Sequence, residues 1–82
     1  REKLEEAVGR FARLRDDPSF ELREPAGYLV MDCLYEIERF QESVEAGEWL
    51  LARFPAGRYA LRAWYTLGWS YFRLEEYADA VR

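Results

Sequence analysis

The sequence predicts an all-α chain of antiparallel helix–turn–helix repeats, about four helices followed by a C-terminal stub. Three observations predict it. Between Trp64 and Ala80 the chain reads Trp-x-x-Leu-Gly-x-x-Tyr, then Tyr77 and Ala80. Trp64, Leu67 and Tyr71 recur at helical spacing, and Gly68 among them leaves a gap into which a second helix, starting at Tyr77 and bringing Ala80, can press. Segments opening at Leu4, Phe40 and Tyr77 are of one type, at spacings of 36 and 37 residues. Finally, prolines and glycines are few, and Pro18, Pro25, Pro55 and Gly57 mark the edges of apolar-periodic stretches.

The elements follow in order. The first helix spans residues 1–15, with Leu4, Ala7, Phe11 and Leu14 as its packing stripe; Asp16, Asp17 and Pro18 end it. Residues 15–24 read as a longer, less regular connection. The complete repeat covers 25–54. Its first helix runs from Pro25, which suits a first turn because it has no N–H to leave unpaired, to Ile37. A tight turn at Glu38–Arg39 leads to a helix from Phe40 to Arg53, whose stripe is Phe40, Ser43, Gly47 and Leu50. Phe54-Pro55 stops it, since a residue before proline disfavours the helical region. Gly57 is the expected cap of the next helix, Arg58 to Leu74. Glu75–Glu76 reads as the turn into the stub, so the partial repeat is 58–82.

Against the pattern of the tetratricopeptide repeat, which the residues from Trp64 to Ala80 resemble, the middle repeat has Gly27 where a large aromatic is expected, Met31 where a small Gly is expected, and Gly47 where a large residue is usual. Exchanges of opposite sense at neighbouring places conserve core volume, which close-packed interiors require.

Trp64, Leu67, Gly68, Tyr71, Tyr77 and Ala80 together resemble the tetratricopeptide repeat. The resemblance implies a short right-handed α-solenoid of stacked helix pairs, presenting a concave surface to a peptide or protein. The stretch from Leu50 to Ala63, with Phe54-Pro55 followed by Tyr59-Ala60, is similar to repeats of bacterial cell-envelope proteins of the Tol-Pal accessory and outer-membrane assembly lipoprotein type. It departs from them at Gly57, where they usually carry Ser. That similarity favours a periplasmic or envelope setting, with the cytoplasm left open.

Composition narrows the function classes. The 82 residues, half of them apolar and 17% aromatic, suit one small folded domain. A net charge of −4 argues against nucleic acid, which calls for a basic face. Eleven of the twelve cations are Arg, read here as base composition of the genome. The longest apolar runs, such as Tyr28 to Met31, are far too short for membrane insertion. The chain opens on Arg1 with no initiator Met or signal sequence and reads as part of a longer protein. Catalysis finds little support. There is no His, Ser19, Ser43, Ser70 and Thr66 have no partner base, and Cys33 sits among apolar residues as a small hydrophobe would. Glu5–Glu6 and Glu75–Glu76 are sequence neighbours that point to different sides of a helix. No metal-ligand spacing or phosphate loop appears, so no cofactor, metal or enzymatic activity is expected.

The family resemblance places the first helix of each pair on the concave side. Helix 25–37 would then present Tyr28, Asp32, Tyr35 and Glu36, and helix 58–74 would present Arg62, Tyr65, Trp69, Phe72 and Arg73. Aromatics interleaved with both charge signs suit a peptide grip, because rings supply contact area at low entropic cost and Arg adds directed bonds. The same positions admit a structural role, Trp69 and Phe72 by packing on the preceding helix pair. The expected function is a protein-interaction scaffold. Two alternatives stand beside it: a structural segment that self-associates through exposed repeat ends, as in a homodimer, and an accessory domain of a larger envelope assembly protein.

Overall fold

The computed structural model describes residues 1–81, with side-chain surroundings as far as residue 78. Four helices account for 79% of the chain: α1 Glu2–Asp16, α2 Arg23–Glu36, α3 Phe40–Arg53 and α4 Ala60–Val81. No strand occurs among the described residues. Each helix packs on its neighbour in sequence, and α2 also meets α4. The Cα trace measures 46 × 30 × 14 Å, a flattened stack.

The boundaries have local chemical causes. After α1, the Asp17 carboxylate accepts bonds from the backbone N–H and hydroxyl of Ser19, at 3.0 and 2.7 Å, closing a turn around Pro18. Those bonds hold the Asp17 carboxyl below its ordinary range. Helix α2 begins at Arg23, two residues earlier than expected, and Pro25 still lies in the first turn, where its missing N–H has no intrahelical partner. Between α2 and α3, Arg39 N–H donates to Leu34 O at 2.9 Å and Glu38 N–H to Tyr35 O at 3.0 Å. This is a Schellman turn with Glu38 in the left-handed region, φ 65°, a place usually given to Gly. The Glu38 carboxylate meets Arg1 at 3.2 Å and Arg73 at 3.8 Å, and accepts the Tyr77 hydroxyl at 3.4 Å. One turn residue thus ties α1 and α4 to the α2–α3 corner. Helix α3 keeps the expected bounds. Helix α4 starts at Ala60, and its first-turn donor Tyr59 N–H is capped by Glu24 Oε2 at 3.2 Å, not by Gly57. A Cβ on Gly57 would run into that same carboxylate.

The core is built from Val30, Met31, Leu34 and Ile37 of α2 and its turn, Val44, Ala46 and Leu50 of α3, and Ala63 and Leu67 of α4. Leu4, Val8, Phe11 and Ala12 of α1 close it on one side. Leu14, expected in the α1 stripe, is exposed, because Val8 and Ala12 hold the inward register instead. The stripe expected on α3 is buried throughout. The volume exchange is realised physically: a Cβ on Gly47 would lie 2.6 Å from Met31 Cε, so the fully buried Met31 occupies the room that Gly47 leaves. Gly27 likewise makes room for Trp49, whose ring is bordered by the guanidinium groups of Arg53, Arg15 and Arg23 at 4.6, 5.2 and 5.6 Å. Two buried hydroxyls link three helices: Ser43 donates to Met31 O at 3.0 Å, and Ser70 to Ser43 Oγ at 3.4 Å.

The C-terminal end differs most from expectation. No turn forms at Glu75–Glu76; α4 continues without a break to Val81. Neither residue is a helix breaker, and straight-chain Glu is among the good helix formers. Tyr77 therefore does not open a second antiparallel helix. It lies one turn beyond Arg73, on the side where Leu74 faces the core, and its ring approaches Phe40 at 5.9 Å. An unbroken helix also carries the backbone at residue 80 about 18 Å from Gly68 along the axis. The side chain of Ala80 lies outside the described residues. Within the expected Trp64–Leu67–Tyr71 stripe, only Leu67 is buried, while Trp64 is 60% and Tyr71 48% exposed. The inward face of α4 is instead Ala60, Ala63, Leu67 and Ser70, with Leu74 partly buried beyond them.

Candidate functional site

Helices α2 and α4 run side by side and leave a groove of about 440 Å³ between them. Its α2 wall is Tyr28, Asp32, Tyr35 and Glu36, residues at helical spacing on the face turned away from the Val30–Leu34 core stripe. Its α4 wall is Tyr65, Thr66, Trp69 and Arg73. Seven of the nine residues singled out from the sequence therefore line one depression.

The two others lie just outside. Phe72 turns away from the groove into a neighbouring cleft shared with Trp64, Tyr65, Gly68 and Trp69. Arg62 borders a smaller cleft beside Tyr28, Leu61, Tyr65 and Thr66, with its guanidinium 6.0 Å from the Tyr59 ring centre. Thr66 is the groove residue that sequence reasoning missed. It falls four residues after Arg62 and three before Trp69, so the same helical spacing would have found it had the search not favoured rings and charges.

Several walls are fixed by contacts within the chain. Tyr28 stacks on Tyr59 at 5.0 Å, and Tyr35 meets Phe40 edge-on at 5.3 Å. Partial burial, with Asp32 nearby, raises the Tyr28 hydroxyl above its ordinary range, so it remains a neutral donor. The Arg73 guanidinium lies 5.1 Å from the Phe40 ring and near the carboxylates of Glu38 and Glu76, each at 3.8 Å. It therefore forms a wall of the groove already compensated by the chain's own carboxylates. Trp69 and Phe72 do not bury themselves on the preceding helix pair: they are 44% and 51% exposed, packing edge-on against each other at 5.6 Å. Tyr65 in turn meets Trp69 edge-on at 6.2 Å.

Rings line both sides of the groove, and two carboxylates, Asp32 and Glu36, open on the α2 side with no salt-bridge partner within the described residues. Cys33 lies behind this wall, buried, with its thiol pushed up by desolvation and by the neighbouring carboxylates of Asp32 and Glu36. A thiol so placed is a poor nucleophile. Among the described residues no group of three His, Cys, Asp or Glu converges as a metal site, and no helix is long and apolar enough to cross a membrane.

What the fold and groove define is an all-helical chain with an aromatic, acid-edged depression between two non-consecutive helices. Comparison with known proteins finds no matching family model and no significantly similar curated protein or solved structure.

Proposed function

We propose that this chain is a helical-repeat interaction module of the tetratricopeptide type, whose α2–α4 groove grips a short segment of a partner protein. The observation that carries the reading is the gathering of Tyr28, Asp32, Tyr35, Glu36, Tyr65, Trp69 and Arg73 around one groove. Exposed, edge-packed rings offer apolar area at little entropic cost on binding. The Asp32 and Glu36 carboxylates favour a cation beside the apolar anchor. The expected ligand is a peptide with one aromatic or branched apolar side chain followed or preceded by Lys or Arg. A bacterial-envelope setting is proposed on the similarity of residues 50–63 alone.

Selection from a random-peptide display library against the immobilised chain tests the reading. Enrichment of peptides pairing an apolar anchor with a basic residue is expected. Trp69→Ala should weaken the selected peptide by about 2 kcal/mol or more while preserving helical content. Asp32→Asn should weaken basic peptides selectively. Loss of the thermal transition in Trp69→Ala would instead assign Trp69 to the core, and unaltered affinity would place binding elsewhere.

A further inference from the structure

The outer face of α4 has no role in the fold of its own chain. Leu61 is 83% and Tyr65 68% exposed, and with Trp64, Trp69 and Phe72 they form a continuous apolar strip on the side opposite Ala63 and Leu67. At its centre is Gly68. A Cβ built there meets nothing within 4 Å, as at Gly9 of α1, whereas those at Gly27, Gly47 and Gly57 meet neighbouring side chains; unlike Gly9, Gly68 stands among exposed rings. A glycine in mid-helix destabilises it by about 1 kcal/mol relative to Ala, and no intrachain contact recovers that cost. In the middle of an apolar strip, a missing side chain permits close approach of another backbone.

We infer that this face is a two-fold interface in which α4 of one copy crosses α4 of another, antiparallel, at Gly68. Charge placement singles out a second copy as the occupant. Arg62 and Glu76 lie on one flank of the strip, about four turns apart and on either side of Gly68. Both are exposed. In an antiparallel pair, equivalent flanks face each other, so Arg62 of each copy meets Glu76 of the other, twice by symmetry. A patch that is apolar at the centre and of opposite charge at its two ends is self-complementary in this one orientation. A parallel crossing sets opposite flanks together and leaves Arg62 and Glu76 without this pairing. The area reaches the lower end of what a specific contact uses: at about 150–250 Å² per aromatic side chain, the exposed parts of the strip supply roughly 600–700 Å² per copy when fully covered. A standard interface uses about 800 Å² per partner. Tyr65 and Trp69 border both this strip and the α2–α4 groove, so pairing of two copies and peptide binding compete for those two rings.

Sedimentation equilibrium of the 82-residue chain across micromolar concentrations tests it. The expected result is a species of twice the 9.8 kDa chain mass. Gly68→Glu places a good helix former where the folded monomer has open space, so it should melt no lower than the parent monomer. It should also raise the dimer dissociation constant about a hundredfold, as loss of an interface centre does. Arg62→Glu and Glu76→Arg should each weaken the dimer at low salt, and the double exchange should restore it. A wild-type monomer at 100 micromolar, about the upper range of such a contact, would overturn the proposal and leave the strip to a helix of another protein. A dimer unaffected by Gly68→Glu would overturn it equally, by placing the contact on another face. Charge variants with no reciprocal rescue would overturn the antiparallel arrangement.

Discussion

Gly47→Ala should destabilise this protein, although Ala is the better helix former, and the sign should reverse when Met31 is shortened. The new methyl would sit 2.6 Å from Met31 Cε, 3.2 Å from its sulfur and 3.4 Å from Leu67 Cδ1. Helix propensity favours the substitution by about 1 kcal/mol. Overpacking of a closed core opposes it by about 1–3 kcal/mol, and the flexible Met31 tip sets the cost near 2. The net expectation is a loss of about 1 kcal/mol, which lowers the melting temperature by about 4–8 °C in a domain of this size. Met31→Ala alone empties a fully buried site and should cost about 3 kcal/mol. In that background Gly47→Ala meets no obstacle, fills part of the void and should stabilise by about 1 kcal/mol. Denaturant unfolding followed by helical circular dichroism measures all four corners of the cycle. Equal effects of Gly47→Ala in both backgrounds would refute the reasoning, because they would show that Met31 does not lie over Gly47.

Three further outcomes follow from particular contacts. Glu38→Gly should exceed Glu38→Ala in stability by about 1 kcal/mol, since both lose the carboxylate but only Gly relieves the left-handed φ of 65°; equal melting temperatures would argue against the turn. Ser43→Ala should cost about 1–2 kcal/mol by leaving the buried Ser70 hydroxyl without its acceptor, and should cost less in a Ser70→Ala background, as a double-mutant unfolding cycle would show. The Cys33 thiol has a raised pKa in the fold, so the folded state holds its proton more tightly than the unfolded state. Stability is then unaffected below the ordinary value of 9.0 and falls as pH rises above it. Cys33→Ala should flatten that alkaline slope in a pH series of unfolding midpoints.

Much of the helical layout was legible because its punctuation is chemical. Phe54-Pro55 and Asp17-Pro18 stop helices for backbone reasons that need no tertiary context. Hence α3 spans residues 40–53 as expected, and α1 ends within one residue of expectation. The exchange of Met31 against Gly47 was legible as paired departures, opposite in size, from the repeat pattern the chain resembles. The α4 terminus was not, because Glu75–Glu76 carries no breaker and a repeat pattern says what should pack, not whether the chain turns there. Two stabilising devices were also invisible. Glu24 caps the start of α4 from 35 residues away, and Glu38 gathers Arg1, Arg73 and Tyr77; neither has a short-range signature. The groove was legible on α2 because Tyr28, Asp32, Tyr35 and Glu36 share a helical face. On α4, Arg62 shares the face of Thr66 and Trp69 but lies a turn beyond the end of the groove, and Phe72 belongs to the outer face.

Amide chemical-shift mapping of the isotope-labelled chain with a selected anchor-plus-basic peptide tests the functional claim most directly. The account predicts that the largest shifts fall on Tyr28, Asp32, Tyr35 and Glu36 of α2 and on Tyr65, Thr66 and Trp69 of α4, with α1 and the Trp49 side of α3 unmoved. Shifts gathered on α1 or around Trp49, with the α2–α4 groove silent, would contradict it.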